Sequence, residues 1–307
     1  MDYTLLIVQT LNGIQLGLLL FLVASGLTLV FGILDFVNLA HGSIYMVGAF
    51  ICASLTFVVG NFLLAMLIAL PLTAAVGYGI ERFVARHLYA RDHLDHVLAT
   101  FGLILVIDTS VHLIWGPAGF SVPLPHWLDG QVELFTGVIV PTYRLLIISV
   151  GLAVAAGLYW LVNFTRLGML IRAGASNRTM VSALGIDIQM LFALVFALGA
   201  MLAGLAGMLI SPITEASISM GGEIIITAFV VIIVGGIGSM KGAFIAAIII
   251  GLIDTLGRSF LDDFFKLFMS ADAAETSAPA ISSMLIYILM ALILAIRPQG
   301  LFPPKVR

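Results

Sequence analysis

Charged residues are scarce in this chain. Of its 307 residues only 9% are Asp, Glu, Lys or Arg, whereas 62% are hydrophobic; ordinary soluble domains carry roughly 25% charged residues. The mean hydropathy of +1.20 excludes a soluble domain of this size. Several apolar runs approach the roughly 20 residues that a helix needs to cross a bilayer. The runs are continuous rather than alternating, which favours helices over a barrel. The sequence therefore predicts an all-α, polytopic integral membrane protein.

Basic residues and cysteines are also few. The first Lys or Arg is Arg82, so the N-terminus lacks the positively charged start of a cleavable signal peptide. We therefore expect the first apolar segment to remain as a transmembrane helix. Cys52 is the single cysteine, which excludes an intrachain disulfide, and we expect it to be a small buried hydrophobic residue. A net charge of −3 gives no indication of a nucleic-acid partner.

The apolar runs predict about eight to nine transmembrane helices, including broken or half-length segments, in a single membrane domain over 1–307. The predicted spans are 8–31, 44–60, 62–80, 97–115, 144–163, 190–210, 222–237, 242–257 and 282–296. The apolar pieces "IIITAFVVIIV" and "AFIAAIIIGLI" have 11 residues each, which is only about 17 Å of helix. The region 222–257 is therefore either two extended spans or two half-helices. The segments 116–143 and 258–281 are predicted to be short caps.

The positive charges predict how the chain is oriented. Ten of the 13 Lys and Arg residues fall on one predicted side: Arg82, Arg86, Arg91, Arg166, Arg172, Arg178, Lys241, Arg297, Lys305 and Arg307. The other side receives Arg144, Arg258 and Lys266. Positive residues are concentrated on the cytoplasmic side of membrane proteins. We therefore expect the N-terminus outside and the C-terminus in the cytoplasm.

One polar stretch interrupts the apolar sequence early in the chain. The segment "FGILDFVNLAHGSIYMVGAF" (31–50) contains the polar or helix-loosening residues Asp35, Asn38, His41, Gly42 and Ser43. It could be a solvated turn between two helices, with these side chains in water. Alternatively, it packs against other helices and lines a polar cavity, as polar residues at membrane depth usually do. The second interpretation also accounts for the apolar neighbours Leu34, Phe36, Val37 and Leu39.

A second break lies at "VVGGIGSMKGAF" (233–244), where the candidate residues are Gly235, Gly236, Gly238 and Ser239. Glycine-broken apolar segments in both halves of a chain indicate a transport pathway. The stretch also looks like a phosphate-binding loop, but that motif needs Gly before the Lys and Ser or Thr after it. Lys241 instead lies between Met240 and Gly242. We therefore expect no nucleotide-binding motif, no metal site and no enzymatic activity, and any ATP must be bound by another chain.

The segment 165–189 is too polar to span the membrane. In "TRLGMLIRAGASNRTMVSALGID" (165–187) the residues Leu170, Ala173, Asn177, Met180 and Leu184 recur at helical spacing, which predicts an amphipathic helical element beside the membrane. It could be a basic helix lying on anionic lipid. Alternatively, its small residues allow a partner protein to approach closely: Ala173, Gly174, Ala175 and Ala183.

Four stretches in this order carry a resemblance to a known family. They are "GLTLVFGILDFVNLAHGSIYMVGAF" (26–50), "RAGASNRTMVSALGID" (172–187), "VVGGIGSMKGAFIAAIIIGLID" (233–254) and "RPQGLF" (297–302). Over nearly its whole length, the chain resembles the LivH-type permease subunit of branched-chain amino acid ABC importers. The resemblance implies an all-helical permease in the bacterial inner membrane. It also implies a homologous second permease subunit, two ATPase subunits that bind the ATP, and an extracytoplasmic substrate-binding protein, with no cofactor in the chain itself.

The resemblance also implies roles for particular residues. It places Asn38, Ala40, His41 and Gly42 beside the translocation pathway. It implies that 172–187, which contains Ala175 and Ala183, includes the coupling helix that docks on an ATPase, with matches at Arg172, Ala173, Asn177, Gly185 and Ile186. Two positions depart from the family pattern: Ser43 stands where many relatives carry an acid, and Lys241 where many carry proline. The substrate therefore stays open among branched-chain amino acids, other amino acids, amides and urea.

Two other functions remain as alternatives. An ion-coupled secondary transporter of small amino-acid-like solutes would use Asp35, His41, Asp108 and His112 as coupling groups, because carboxylates and histidines inside spans commonly carry protons or ions. An intramembrane serine hydrolase would use His41 as the base and Ser43 as the nucleophile. Residues so close in sequence rarely align for that chemistry.

Overall fold

The computed structural model describes residues 3–135 and 137–303. Within these residues the chain forms eleven α-helices, a short 3-10 helix at Ala85–His87 and one two-stranded antiparallel sheet. The α-helices are α1 (Tyr3–Leu34), α2 (His41–Val59), α3 (Phe62–Phe83), α4 (His93–Trp115), α5 (Thr142–Phe164), α6 (Arg166–Ser176), α7 (Arg178–Ala183), α8 (Ile188–Thr214), α9 (Met220–Gly235), α10 (Met240–Phe265) and α11 (Ala271–Ile296). The strands are β1 (Gln131–Phe135) and β2 (Val138–Pro141).

Eight of these helices are long and apolar enough to cross a membrane: α1, α2, α3, α4, α5, α8, α10 and α11. This confirms the all-α, polytopic prediction, and each of the nine predicted spans overlaps one helix. In the ambiguous region 222–257, α9 has 16 residues and α10 has 26, so the two pieces are not a matched pair of half-helices. Lys305 and Arg307, which support the predicted orientation, lie outside the described residues.

The two predicted caps contain regular structure that the sequence did not indicate. Segment 258–281 is mostly helical, because α10 continues to Phe265 and α11 begins at Ala271. The Nζ of Lys266 lies 2.6 Å from a carboxylate oxygen of Asp262 and 3.6 Å from one of Glu275, so it connects the ends of both helices. Charge pairs four residues apart stabilise helices in water, which explains why α10 extends beyond its apolar part. The other cap holds the β1–β2 hairpin.

The amphipathic segment forms two short helices, α6 and α7, rather than one continuous element. Asn177 separates them with extended backbone angles, φ −155° and ψ 98°, and its side chain accepts a hydrogen bond from the Met180 N–H at 2.9 Å. Asn is a favoured N-cap residue because this bond satisfies a free N–H at a helix start. The helical spacing across 170–184 therefore did not reveal the break. Met180 and Leu184 are exposed, whereas Ile171 and Val181 are buried.

The chain forms two compact units. One contains the described residues up to Phe21, together with His126–Leu152 and the chain from Phe229 onward; the other contains Leu22–Pro125 and Ala153–Ala228. The prediction of a single membrane domain stays a prediction. In the first unit, the start of α1 packs against α10, where a Cβ at Gly251 would lie 2.4 Å from the Gly17 nitrogen. Helix α10 also packs along α11.

The unit containing Leu22–Pro125 and Ala153–Ala228 is built around α2, α3 and α8, which pack against one another. Glycines line these contacts: a Cβ at Gly48 would lie 2.4 Å from the Gly204 Cα, and a Cβ at Gly204 would lie 2.4 Å from the Thr73 side chain. Small residues let helix backbones approach closely, which is how helices commonly associate in membranes. The three helices therefore form the rigid frame on which the irregular segments of this unit rest.

Replacing Gly48 tests this frame. We expect Gly48→Ala to lower the midpoint of thermal unfolding of the detergent-purified protein, because the new methyl group meets the Gly204 backbone and overpacking typically costs about 1–3 kcal/mol. Gly102→Ala on α4 is the matched control, since no atom lies within 4 Å of its added Cβ. It should leave the midpoint unchanged or raise it. Equal midpoints for both variants would show that α2 and α8 are not tightly packed at Gly48.

Candidate functional site

The polar stretch at 35–43 begins with a sharp change of direction. Helix α1 ends at Leu34, and the next residue, Asp35, has a φ of 52°. Its N–H still donates to the Phe31 carbonyl at 3.0 Å, which is the pattern of a left-handed helix cap. Such a cap usually requires glycine, since a side chain in this region is strained. The chain therefore leaves α1 through a strained residue that its neighbours must hold in place.

Residues 35–40 then run along α4 outside any helix, and α2 begins at His41. Three contacts fix the register: the Asp35 carboxylate lies 3.7 Å from the His93 Nε2, the Leu39 N–H donates to the Thr100 hydroxyl at 3.3 Å, and the Ser43 hydroxyl donates to the Asp108 carboxylate at 2.9 Å. From the first to the last of these α4 positions the helix rises about 22 Å. The segment thus starts at one end of α4 and penetrates most of its length.

Burial distinguishes between the two interpretations of this segment. Asn38 is 0% exposed and His41 is 1% exposed, so the interpretation as a solvated turn is wrong. Only Asp35, the hinge between α1 and this segment, lies at the surface, since its side chain is 62% exposed. The pathway role of Asp35, Asn38, His41, Gly42 and Ser43 stays a prediction.

Several buried polar atoms around this segment have no hydrogen-bond partner among the described residues. They are both amide atoms of Asn38 and the Nδ1 of His41; elsewhere in this unit, the hydroxyl of Thr28 on α1 is likewise buried without a partner among the described residues. The other ring nitrogen of His41 lies 3.2 Å from the Val23 carbonyl, also on α1. An unsatisfied polar group in an apolar interior is costly. These atoms therefore need partners that the described residues do not supply.

A second irregular segment, 215–219, approaches from the other end of α4. It follows α8, begins at Glu215 with a φ of 65°, and pairs Ala216 with Phe120, just beyond the end of α4. Helix α9 then starts at Met220, and a Cβ at Gly42 would lie only 2.1 Å from the Gly221 carbonyl. The two irregular segments therefore enter from opposite ends of α4, and the helices that follow them, α2 and α9, meet at their starts.

Neither this second segment nor the link from Ser43 to Asp108 was predicted from the sequence. The signal was present: "SPITEASISMGGE" (211–223) combines proline, hydroxyl side chains and paired glycines inside an apolar region. It also contains Glu223, which is exposed on the first turn of α9.

The glycine break at 235–239 lies in the unit that contains the chain from Phe229 onward, and its local structure differs from that of segment 35–43. Gly236 and Gly238 have φ values of 103° and 82°, and the Ser239 hydroxyl caps α10 by accepting the Gly242 N–H at 3.1 Å. The motif "RPQGLF" folds back onto this turn: Leu301 N–H donates to the Val234 carbonyl at 2.9 Å, and Phe302 N–H donates to the Gly235 carbonyl at 3.0 Å. The pathway role of Gly235, Gly236, Gly238 and Ser239 stays a prediction.

The predicted coupling residues lie on α6, α7 and the turns that join them to their neighbours. The exposed ones are Arg172, Ala175, Asn177, Ala183 and Gly185, and the part-buried ones are Ala173 and Ile186. Arg172 donates to the Val162 carbonyl at the end of α5, and Gly185 has a φ of 83°. Their coupling role also stays a prediction.

The geometry does not assemble the groups that the two alternative functions need. The Ser43 hydroxyl donates to Asp108 and the His41 Nε2 faces the Val23 carbonyl, so this base and nucleophile are directed to other partners. Asp35 contacts His93 near the surface, whereas His112 is exposed elsewhere on α4. Over the described residues, no three His, Cys, Asp or Glu side chains are grouped to hold a metal ion.

Known relatives cover most of the chain. It is 31% identical over 272 residues to the high-affinity branched-chain amino acid transport system permease protein BraD of Pseudomonas aeruginosa, covering 84% of this chain and 88% of the relative. It is 30% identical over 275 residues, with the same coverage, to the corresponding protein LivH of Escherichia coli. It is 28% identical over 296 residues to the probable branched-chain amino acid transport permease protein LivH of Methanocaldococcus jannaschii, covering 92% of this chain and 88% of the relative. No solved structure matches.

The family whose description is "branched-chain amino acid transport system / permease component" matches residues 9–294. This range includes both irregular segments, the α6–α7 pair and the glycine turn at 235–239. The chain therefore belongs to the family of branched-chain amino acid transport system permease components.

Proposed function

We propose that this chain is the membrane-spanning permease subunit of an ABC importer that moves branched-chain or related amino acids across the bacterial inner membrane. It would work with a homologous second permease subunit, two ATPase subunits and an extracytoplasmic substrate-binding protein. The ATPase subunits would bind and hydrolyse the ATP. The chain itself would catalyse no reaction and hold no cofactor.

The observation that carries this proposal is the irregular chain between α1 and α2, in which Asn38, together with His41 at the start of α2, has buried polar atoms without a partner among the described residues. Non-helical backbone at membrane depth is tolerated where it is buried in protein or lines a water-filled cavity. Asn38 supplies both a donor and an acceptor, which suits the ammonium and carboxylate of a zwitterion. The apolar residues Val37, Leu39, Ile44 and Met46 would favour an aliphatic side chain. A segment of this kind, in a member of a transport family, supports a role in translocation.

The α6–α7 pair supports the proposed ATPase contact. It is helical, lies between two candidate spans and presents the apolar side chains of Met180 and Leu184, which are 59% and 73% exposed. We place this pair and the C-terminus in the cytoplasm and the N-terminus outside, following the distribution of Lys and Arg. The segment would be displaced when the ATPases bind and hydrolyse ATP. The helices would then carry that movement to 35–43 as a switch between two conformations.

The first test is uptake of radiolabelled leucine into proteoliposomes. We expect uptake only when the second permease, both ATPases, the binding protein and ATP are present, because this chain would have no energy source of its own. A control with a proton or sodium gradient and this chain alone should show only the background of empty liposomes. Gradient-driven uptake by the chain alone would instead establish the secondary transporter that uses Asp35, His41, Asp108 and His112.

Asn38 allows function to be separated from stability. Asn38→Leu keeps a similar volume but removes two buried polar atoms that have no partner among the described residues. We expect thermal stability to be unchanged or higher, because an unsatisfied buried group costs about 1–3 kcal/mol. Hydrogen bonds to charged groups contribute about 1.5–3 kcal/mol, so leucine uptake at limiting substrate should fall by about tenfold or more.

The exposed residue Asn163, near the end of α5, provides the matched control. Asn163→Leu should leave uptake unchanged. Normal uptake by Asn38→Leu would remove Asn38 from the pathway. A large loss of stability would show that its amide is satisfied by partners inside the folded protein.

The coupling segment is tested at Ala175 and Gly185. We expect Ala175→Trp to abolish ATP-driven uptake while membrane insertion stays normal, because Ala175 is exposed on α6 and a bulky side chain would prevent close docking. Gly185→Val should do the same, whereas Gly185→Asn should retain more uptake, because Asn tolerates the left-handed backbone that Gly185 adopts. Uptake and the amount of inserted protein are measured together. Normal uptake in Ala175→Trp would mean that this face only contacts lipid.

A further inference from the structure

The end of α1 lacks a cation of its own, and a distant residue supplies one. The last four carbonyls of a helix have no partner within the helix, and the negative end of the helix dipole favours a positive charge there. The final turn of α1 is the uncharged sequence "FGIL". The guanidinium of Arg178, at the start of α7, donates to the Ile33 carbonyl of this turn at 3.3 Å. Arg178 thus joins the α6–α7 pair to the residue two positions before Asp35.

A series of aromatic rings also connects the Arg178 guanidinium to Phe36. The Arg178 guanidinium carbon lies 5.4 Å from the ring centroid of Phe192 on α8, a cation–π distance. The Phe192 ring lies 5.3 Å from the Tyr89 ring, and the Tyr89 ring lies 5.8 Å from the Phe36 ring, both edge to face. This is a favourable geometry for aromatic pairs. Phe36, which is 1% exposed, directly follows Asp35.

Tyr89 is held in place by a polar cluster on its other side. Its hydroxyl donates to a Glu81 carboxylate oxygen at 3.3 Å, and the other oxygen of Glu81 lies 3.0 Å from the Arg86 guanidinium. Arg86 also donates to the side chain of Gln189, in the first turn of α8, at 3.3 Å. Burial raises the pKa of Tyr89, and the Glu81 charge raises it further. The hydroxyl therefore stays protonated and continues to donate.

The two connections contact the chain two residues before and one residue after the hinge at Asp35. Asp35 is strained, and it is flanked by Ile33, which Arg178 contacts directly, and Phe36, which Arg178 reaches through two rings. A displacement of α7 would therefore act on the chain on both sides of Asp35. We propose that Arg178 and Tyr89 are positioning residues that transmit movement of the α6–α7 pair to the hinge at Asp35 and so to segment 35–43. This inference rests on the proposed function, since it supposes that the α6–α7 pair is displaced by the ATPases.

The test compares substrate uptake with ATP hydrolysis in the complete complex, purified through a tag on this chain and reconstituted with its binding protein. We expect Arg178→Ala and Tyr89→Leu each to lower leucine uptake per ATP hydrolysed by about tenfold, a typical size for coupling between sites. ATP hydrolysis should stay near the wild-type rate, because neither residue contacts nucleotide. Tyr89→Phe should keep most of the wild-type ratio of leucine uptake to ATP hydrolysis, because it keeps both ring contacts.

The double variant provides the sharper measurement. If the two residues act in one connection, Arg178→Ala combined with Tyr89→Leu should lower the ratio little more than either change alone. Arg166→Ala is the matched control: it removes the same charge from the same segment at an exposed position, and the ratio should not change.

The outcomes separate this inference from the proposed function. Wild-type complex that takes up no leucine with ATP would overturn the proposed function. Wild-type uptake together with unchanged ratios in Arg178→Ala and Tyr89→Leu would overturn only the connection. Uptake and hydrolysis that fall in parallel in both variants, with less complex recovered, would show a purely structural role and also overturn it. A fully additive double variant would mean that the two residues act separately.

Discussion

The structure depends on how α4 supports a stretch of chain that is not helical. Hydrocarbon offers no hydrogen-bond partners, so each backbone group that leaves a helix needs one from the protein. Thr100 receives the Leu39 N–H, and Asp108 receives the Ser43 hydroxyl at the start of α2. Because these two side chains satisfy polar groups along the segment, the chain can leave helical structure between Leu34 and His41 while it stays packed against α4. The Asn38 amide stays without a partner among the described residues.

The frame around that segment can be rigid because its helices are separated by glycine rather than by large side chains. Backbones that touch, as at Gly48 and Gly204 or at Gly42 and Gly221, leave little room for independent sliding. We therefore expect movement in such a protein to be concentrated where the chain leaves its helices. Asp35 and Glu215, the two non-glycine residues with positive φ in the described chain, stand where the two irregular segments begin. Strained residues commonly occur at sites that move or bind.

The sequence revealed the class of this protein and its polar breaks, but not how they come together. Long apolar runs predicted every span, because hydrocarbon thickness sets helix length directly. The polar residues of 31–50 identified the first break, since Asn and His have few reasons to interrupt apolar sequence. The partners of those residues were not predictable: Asp108 lies 65 positions from Ser43, and Arg178 lies 145 positions from Ile33. The break at Asn177 was hidden for another reason, because its flanking residues keep helical spacing on both sides of the cap.

The hydrogen bonds from Leu301 and Phe302 to the end of α9 constrain the order in which the two units can fold during synthesis. The unit that contains them also includes the beginning of α1 and part of the middle of the chain, so it cannot be complete until Leu301 and Phe302 have been synthesised. The other unit ends at Ala228, and all its residues are available well before translation finishes. The unit that carries Asn38 and His41 can thus fold first in the membrane. The first turns of α1 cannot pack against α10 until α10 has been synthesised.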